Sequence, residues 1–599
     1  MSHLLSIVVF APALAAVVVM LLPAESRLGM RVASLAGASV SLAGSIFALV
    51  TYDAHASGLQ RVEDFALVPS LGVHLRLAQA GWSGALLLLT GVILFAGVLA
   101  SWPLQKRERE FFVLLLVLVS GVFGVFVSQD VLVFFLFYEL AVLPMYLLIG
   151  IWGSSHEVPG KGPFRVAWSL LKVGDKQYAA MKLTLTLLVG SAAILVAILV
   201  MYAHAGARSF DLGDLAAAHY SRSVQLTAFP LLWLGFGTLA GVFPFHTWSP
   251  DGHASAPTAV SMLHAGVLMK LGAFGVMRVG MVLLPDGARA WAPIVGAVAA
   301  INVLYGAFCA MSQTDLKYIV AYSSVSHMGV VMLGAATLTT AGWNGAVFQM
   351  VAHGVMTALF FALVGLVYER AHTRAIRKMG GFGRVMPGVA AFFTLACLSS
   401  LGLPGTAGFV SEFVVFLGAW KSGHYLWTIA GVLGAFVTAI YVLRATRSIF
   451  WGEGPTEDFH DLRDARRTEW GSLVLLGVGV VVLGFWPRLV LDAIDLGSAR
   501  YLPAVVLASF CAVTWYAADG RHSFREASLG SLWAGIRVAH PDWIDRAAGR
   551  DANVAILWSG ATDAHTIWVN EFFNRSVRDV YNLGQQSPGF ELGDAAGTQ

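Results

Sequence analysis

Charge is what this sequence has least of. Of 599 residues only 12% are Asp, Glu, Lys or Arg, against 57% hydrophobic, where a soluble domain carries about 25% charged residues. The mean hydropathy is +0.72. A chain this apolar cannot hide its side chains in one aqueous core, so lipid is the expected solvent. Cysteine is nearly missing too. Cys309, Cys397 and Cys511 are far apart in apolar runs, and no pair has the spacing of a zinc, iron–sulfur or haem site. They read as small buried residues, and no metal is expected. No Gly-rich phosphate loop follows a strand; the 63 glycines fit the close packing of membrane helices. The net charge of +3 comes without a basic patch interleaved with aromatics, so nucleic acid is not an expected partner.

What is present is a succession of long apolar runs. A membrane helix needs about 20 such residues. Runs lie at 4–22, 30–51, 83–101, 111–128, 131–152, 180–203, 224–246, 255–284, 291–311, 318–337, 343–368, 387–419, 425–446 and 470–487. The expected fold is therefore all-α and polytopic, with about fourteen transmembrane helices and a fifteenth at 501–517. The first run has only His3 between it and Ser2. It lacks the basic start of a signal peptide and reads as the first membrane helix. Basic residues crowd the odd-numbered loops: Lys106, Arg107 and Arg109, then Lys161 to Lys176, then Arg370 to Arg384, then Arg447 to Arg467. Even-numbered loops hold fewer, such as Arg208 and Arg222. The positive-inside rule then places odd loops in the cytoplasm and the N-terminus outside, in a bacterial inner membrane.

Two runs are interrupted by proline, which cannot donate its backbone hydrogen bond. The seventh contains Phe243-Pro244 and the twelfth Gly402-Leu403-Pro404-Gly405. Lying five helices apart, they imply two inverted five-helix repeats, and paired broken helices point to a transport site at mid-membrane. The divisions read as 1–110 (helices 1–3), 111–285 (first repeat), 286–450 (second repeat), 451–518 (last helices) and 519–599 (a polar tail). Within the tail, 562–583 spaces Phe573, Val577, Val580 and Tyr581 as an amphipathic helix would.

Ionisable residues inside the runs cost about 2.5–3.5 kcal/mol each on insertion scales and need a reason. Glu139, Lys270, His327, His353 and Glu412 sit within or beside apolar runs. Any one alone reads equally well as a buried structural partner. Acids, a lysine and histidines at similar depth in successive helices are the parts of a proton relay, with water carrying protons across the gaps. Such a relay requires no nucleophile, nucleotide or metal.

Several stretches resemble the subunit M family of bacterial NADH:quinone oxidoreductase, respiratory complex I. They are Phe134 to Gly153 (FFLFYELAVLPMYLLIGIWG), Pro244 to Thr258 (PFHTWSPDGHASAPT), Asp315 to Gly329 (DLKYIVAYSSVSHMG), Tyr368-Glu369-Arg370, and Ser400 to Phe413 (SLGLPGTAGFVSEF). The similarity runs from residue 1 to about 490, and the order of the motifs makes it specific. It implies an antiporter-like fold in a membrane arm beside related subunits. That arm moves protons while partner subunits, holding flavin and iron–sulfur centres, reduce quinone. This chain itself carries no redox centre. The resemblance matches Glu139 to the fifth-helix acid, Lys270 to the eighth-helix lysine, His327 and His353 to polar positions on the axis, and Glu412 to the twelfth-helix acid. Lys317 and His246, inside the quoted motifs, complete the candidate relay.

One departure stands out. The family carries a lysine in helix 7 just before the proline break, paired with the helix-5 glutamate. Here Leu239 falls at that position, and Gln225 to Pro244 holds no charge. His264 in the next helix, or Lys270 itself, is the expected substitute partner for Glu139. Alternative readings are a subunit of a related membrane-bound hydrogenase, an Mrp-type cation/proton antiporter subunit, a stand-alone transporter, and a non-pumping spacer. The insertion Ser154 to Gln177 and the tail lie beyond the shared core.

Overall fold

The computed structural model describes residues 3–53, 58–155, 174–452, 459, 462–495, 497–498, 554–558 and 577–582. Among these, thirteen helices are long and apolar enough to cross a membrane. They are α1 Leu4–Leu21, α2 Arg27–Val50, α3 Gly81–Ala100, α4 Glu108–Val127, α5 Val131–Trp152, α6 Lys176–His204, α7a Arg222–Ala240, α8 Thr258–Met281, α9 Pro285–Ser312, α10 Leu316–Ala336, α11 Thr340–Ala371, α13 Tyr425–Phe450 and α14 Arg467–Phe485. Two of the expected runs are split. The seventh continues after a break as α7b, Trp248–Ser255. The twelfth is two short helices, α12a Pro387–Ser400 and α12b Ala407–Lys421. Left-handed glycines turn the chain at the breaks: Gly241 (φ 75°), Gly402 (φ 74°) and Gly405 (φ 92°).

The helices are not equivalent. In α8 and α11 the most apolar stretch is 100% buried, and in α10 94%, against 44% in α1 and 39% in α6. A helix apolar all round and fully enclosed belongs to the core of a bundle. The peripheral helices instead show Leu14, Val189 and Phe436 outward, as lipid contact requires. The enclosed helix α8 also contains two π-helical turns, His264–Leu268 and Val276–Met281.

The two breaks sit within a repeated construction. Asp130 precedes α5 and its carboxylate accepts from the N–H of Leu132 and Val133, both 2.9 Å. Asp315 precedes α10 and accepts from Lys317 (2.8 Å) and Tyr318 (3.3 Å) in the same way. Each aspartate also forms an isolated antiparallel bridge to the segment after the following helix, Asp130 with Asp211 and Asp315 with Ala375. The backbone bonds correspond one by one: Val131 N–H to Phe210 and Leu212 N–H to Gln129, then Leu316 N–H to Arg374 and Ile376 N–H to Thr314. Five spans separate the two constructions, so they face opposite sides of the membrane. Burial, the largest influence, pushes the Asp130 carboxyl up from its ordinary value against three backbone N–H donors.

Some expectations are corrected. Besides the expected helical bundle, strands β1 Gln60–Val68 and β2 Val73–Gln79 form an antiparallel hairpin between α2 and α3. Its Glu63, 4% exposed, accepts from the N–H of Leu5 (2.8 Å) and Ser6 (3.0 Å), satisfying donors at the start of α1. Helix α6 begins at Lys176, so the insertion is shorter than read. Contacts divide the chain into residues 1–511 and 512–599. In the second unit, β3 Val554–Trp558 and β4 Val577–Asn582 pair in parallel. The end of the expected amphipathic helix is thus a strand. Val577, Val580 and Tyr581 are β-branched or aromatic and suit a strand at least as well. The rest of that segment, the run 501–517, Cys511 and most of the 154–177 insertion lie outside the described residues.

Candidate functional site

Four of the expected residues come together in one line through the enclosed helices. Lys270 on α8 is fully buried. Its Nζ donates to the Ala265 carbonyl, one π-turn back, and lies 2.7 Å from His353 Nδ1 on α11. When Lys270 is protonated it donates and His353 presents a lone pair at Nδ1; when it is neutral, His353 Nδ1 can donate to it instead. The His353 ring is stacked on that of His327, on α10, with centroids 5.1 Å apart at 18°. His327 Nδ1 is 2.8 Å from the Ser323 carbonyl. Its Nε2 is 3.3 Å from the Ser400 carbonyl and 3.4 Å from Glu412 Oε1. Carbonyl oxygens accept and never donate. Each nitrogen of His327 is therefore placed to donate when it carries a proton, and Glu412 stands within 3.4 Å of Nε2.

The break in helix 12 makes this possible. Where α12a stops, the Ser400 carbonyl is freed and turns to His327. The chain re-enters as α12b and brings Glu412, 6% exposed, to the same ring. Supporting hydroxyls surround the line. Tyr441 donates to Ser323 Oγ at 2.8 Å, Ser324 and Thr357 meet at 3.2 Å, and Ser411 donates to Gln349.

On the other side of Lys270, His264 leaves the same π-turn and faces His253 on α7b, ring centroids 4.0 Å apart. Among the described residues, both His253 nitrogens and His264 Nδ1 are buried without a hydrogen-bond partner, the condition in which water completes a chain. His253 was missed from sequence. It lies seven residues, two helical turns, after His246 in a motif whose first histidine drew attention instead.

The structure leaves three expected residues off this line. His246 sits at the helix-7 break with its ring against Tyr305 (5.0 Å) and Phe243 (5.8 Å). Lys317 donates to the Ala256 carbonyl at 2.6 Å. Glu139 on α5 is half-buried; its Oε1 has no hydrogen-bond partner among the described residues, and its nearest hydroxyl neighbour is Ser191 on α6. Neither substitute expected for the missing lysine reaches Glu139, because Lys270 is committed to His353 and His264 to His253. Leu239 is 0% exposed at the end of α7a, an apolar residue where the resemblance led to the expectation of a cation. An ion pair between α6 and α7b, Lys182–Asp251 at 2.8 Å, lies nearby, with the Tyr318 hydroxyl donating to the other Asp251 oxygen at 2.8 Å.

The break in helix 7 is held by another residue that sequence reading passed over. Asn302 on α9, fully buried, accepts from the Phe243 N–H at 3.0 Å. It donates to the Val325 carbonyl on α10 at 2.9 Å and to the Gly241 carbonyl at 3.5 Å. All its hydrogen-bonding groups are used at the point where the helix leaves its own backbone bonds open.

A broken-helix pair around a buried Lys–His–His–Glu line can be set beside known proteins. A family model described as NADH:quinone oxidoreductase/Mrp antiporter, TM matches residues 167–438. NAD(P)H-quinone oxidoreductase chain 4 1 of Synechococcus sp. (strain JA-2-3B'a(2-13)) is 38% identical over 501 residues, covering 82% of this chain and 91% of the relative. This chain is a member of the antiporter-like membrane-subunit family of NADH:quinone oxidoreductases. The corresponding chain 4 1 of Synechococcus elongatus (strain ATCC 33912 / PCC 7942 / FACHB-805) is 38% identical over 519 residues, covering 84% and 93%. Among solved structures, a chain of respiratory complex I from Thermus thermophilus with bound NADH superposes with a TM-score of 0.74 at 28% identity, covering 84% of the antiporter-like subunit and 99% of that chain. A chain of the Mrp complex from Dietzia sp. DQ12-45-1b gives 0.71 at 21% identity, covering 84% and 99%, a likeness of fold.

Proposed function

We propose that this antiporter-like subunit moves protons in the membrane arm of a complex I-type NADH:quinone oxidoreductase, coupled to quinone reduction in partner subunits. The observation that carries the reading is the Lys270–His353–His327–Glu412 line inside helices enclosed by protein. An ionisable group in such a place is expensive, and four in hydrogen-bond or stacking succession are accounted for by a path. Lys270 passes a proton to His353 Nδ1. His327 first hands its Nε2 proton to Glu412 at the helix-12 break, and the vacated nitrogen takes, through water, the proton that His353 releases from Nε2. His264 and His253 feed Lys270 from the other side, with water spanning the gaps. The flavin and iron–sulfur chemistry belongs to the partners, and the subunit lies in a bacterial cytoplasmic membrane. The relatives, at 38% identity over 82% of the chain, support the quinone reductase over the hydrogenase and antiporter alternatives.

Glu139 and His246 are assigned to an input side whose coupling differs from the family pattern, because Leu239 replaces the lysine. The test is Lys270→Met in the native complex. Proton translocation per quinone reduced is expected to fall by the share this subunit carries, because the obligatory carrier is gone. Subunit content is expected to stay the same. Unchanged translocation would remove Lys270 from the path and leave the non-pumping spacer as the better reading.

A further inference from the structure

Helix α7b has eight residues, and every carbonyl at its C-terminal end has found a donor. The His253 and Ala256 carbonyls receive the Ser261 hydroxyl, at 3.0 and 3.3 Å. The Ser255 carbonyl receives the Ser154 N–H at 2.8 Å. The Ala254 carbonyl receives Arg374 at 2.6 Å, and the Ala256 carbonyl also receives Lys317 Nζ at 2.6 Å. A helix end leaves four carbonyls without intrahelical partners. Here two of the donors are cations from the second repeat, standing where the helix dipole is negative. Both are buried, Lys317 at 3% exposure and Arg374 at 7%. Arg374 is itself fixed by Asp315, at 3.1 Å, the residue that caps α10. The Tyr318 hydroxyl on Asp251 makes a third contact from the same turn of α10.

The geometry points to Lys317 as a positioning residue that, with Arg374, caps α7b and seats His253 over His264, and not as a carrier of the moving proton. This rests on the proton-relay reading above. The Ala256 carbonyl accepts a hydrogen bond but cannot pass a proton on, so Lys317 Nζ ends a path where a carrier would continue one. The first repeat's broken helix is thereby set by the second repeat. A shift of α10, which bears His327, moves the His253–His264 contact with it.

Two substitutions separate cap from carrier. Arginine keeps a positive donor but does not deprotonate in proteins. Methionine keeps the apolar stem and loses the donor. In the native complex, two quantities are read: protons moved per quinone reduced, and hydrogen–deuterium exchange of residues 248–257. Lys317→Met is expected to lower the proton ratio and to speed exchange about tenfold, the effect of losing one charge-assisted hydrogen bond. Lys317→Arg is expected to restore both. Arg374→Met, which frees the adjacent carbonyl, is expected to repeat the Lys317→Met result. Loss of the proton ratio in Lys317→Arg as complete as in Lys317→Met overturns the proposal, as does unchanged exchange in Lys317→Met. If the wild-type complex moves no protons, the relay reading falls, and the exchange measurement alone still decides whether Lys317 caps α7b.

Discussion

At the scale of single residues, the end of α7a is apolar. Leu239 is fully buried, and Phe236, one turn earlier, packs edge-on against Tyr138, the neighbour of Glu139, at 6.1 Å. Helices α5 and α7a thus meet one turn before Leu239. Leu239→Lys and Glu139→Gln, made singly and together, should show a favourable coupling between the introduced lysine and the acid of about 1 kcal/mol or more in a thermal-denaturation cycle. Zero coupling would mean that Glu139 does not face α7a. Sequence named Glu139, Lys270, His327, His353 and Glu412 because a charge in an apolar run is conspicuous. It could not join Lys270 to His353, 83 positions apart, since that contact depends on which two helices become neighbours. His253 and Asn302 were passed over for the opposite reason: an uncharged polar residue near a loop draws no attention until its partners are known.

At the scale of elements, the breaks carry the design. A proline in an apolar run announces an interruption, so both breaks were legible. What replaces the lost backbone bonds was not, because the substitutes come from other helices. Asn302 does this at helix 7 and His327 at helix 12. Asn302→Leu is expected to lower the stability of the assembled subunit by about 1–3 kcal/mol, the cost of a buried N–H left without an acceptor. The check is the thermal unfolding midpoint of the purified complex, with exchange of the Phe243 amide as the local readout; an unshifted midpoint would show that another acceptor takes over. The β1–β2 hairpin was missed because its strands are half-polar and short, a weak signal between two strong helical ones. The start of α6 was misplaced because Lys176 and Gln177 are polar although helical.

At the scale of the whole molecule, hydropathy alone fixed the class, since so few charges exclude an aqueous core. Two prolines five spans apart mark the two broken helices, and matched backbone bridges form at Asp130 and Asp315, before α5 and α10. Membership of a larger assembly has its own prediction. A tagged chain purified from its native membrane in mild detergent should bring quinone-reductase subunits with flavin and iron–sulfur centres. Hydrogenase or antiporter subunits in their place would keep the fold and change the function.

The hairpin beside α1 has a consequence for the order of synthesis. The carboxylate that satisfies the Leu5 and Ser6 amides belongs to Glu63, 58 positions downstream of Leu5. At translation rates of 5–20 residues per second, that acceptor emerges roughly 3–12 s after the residues it serves. Helix α1 therefore gains these two acceptor bonds only after α2 and the hairpin have been made.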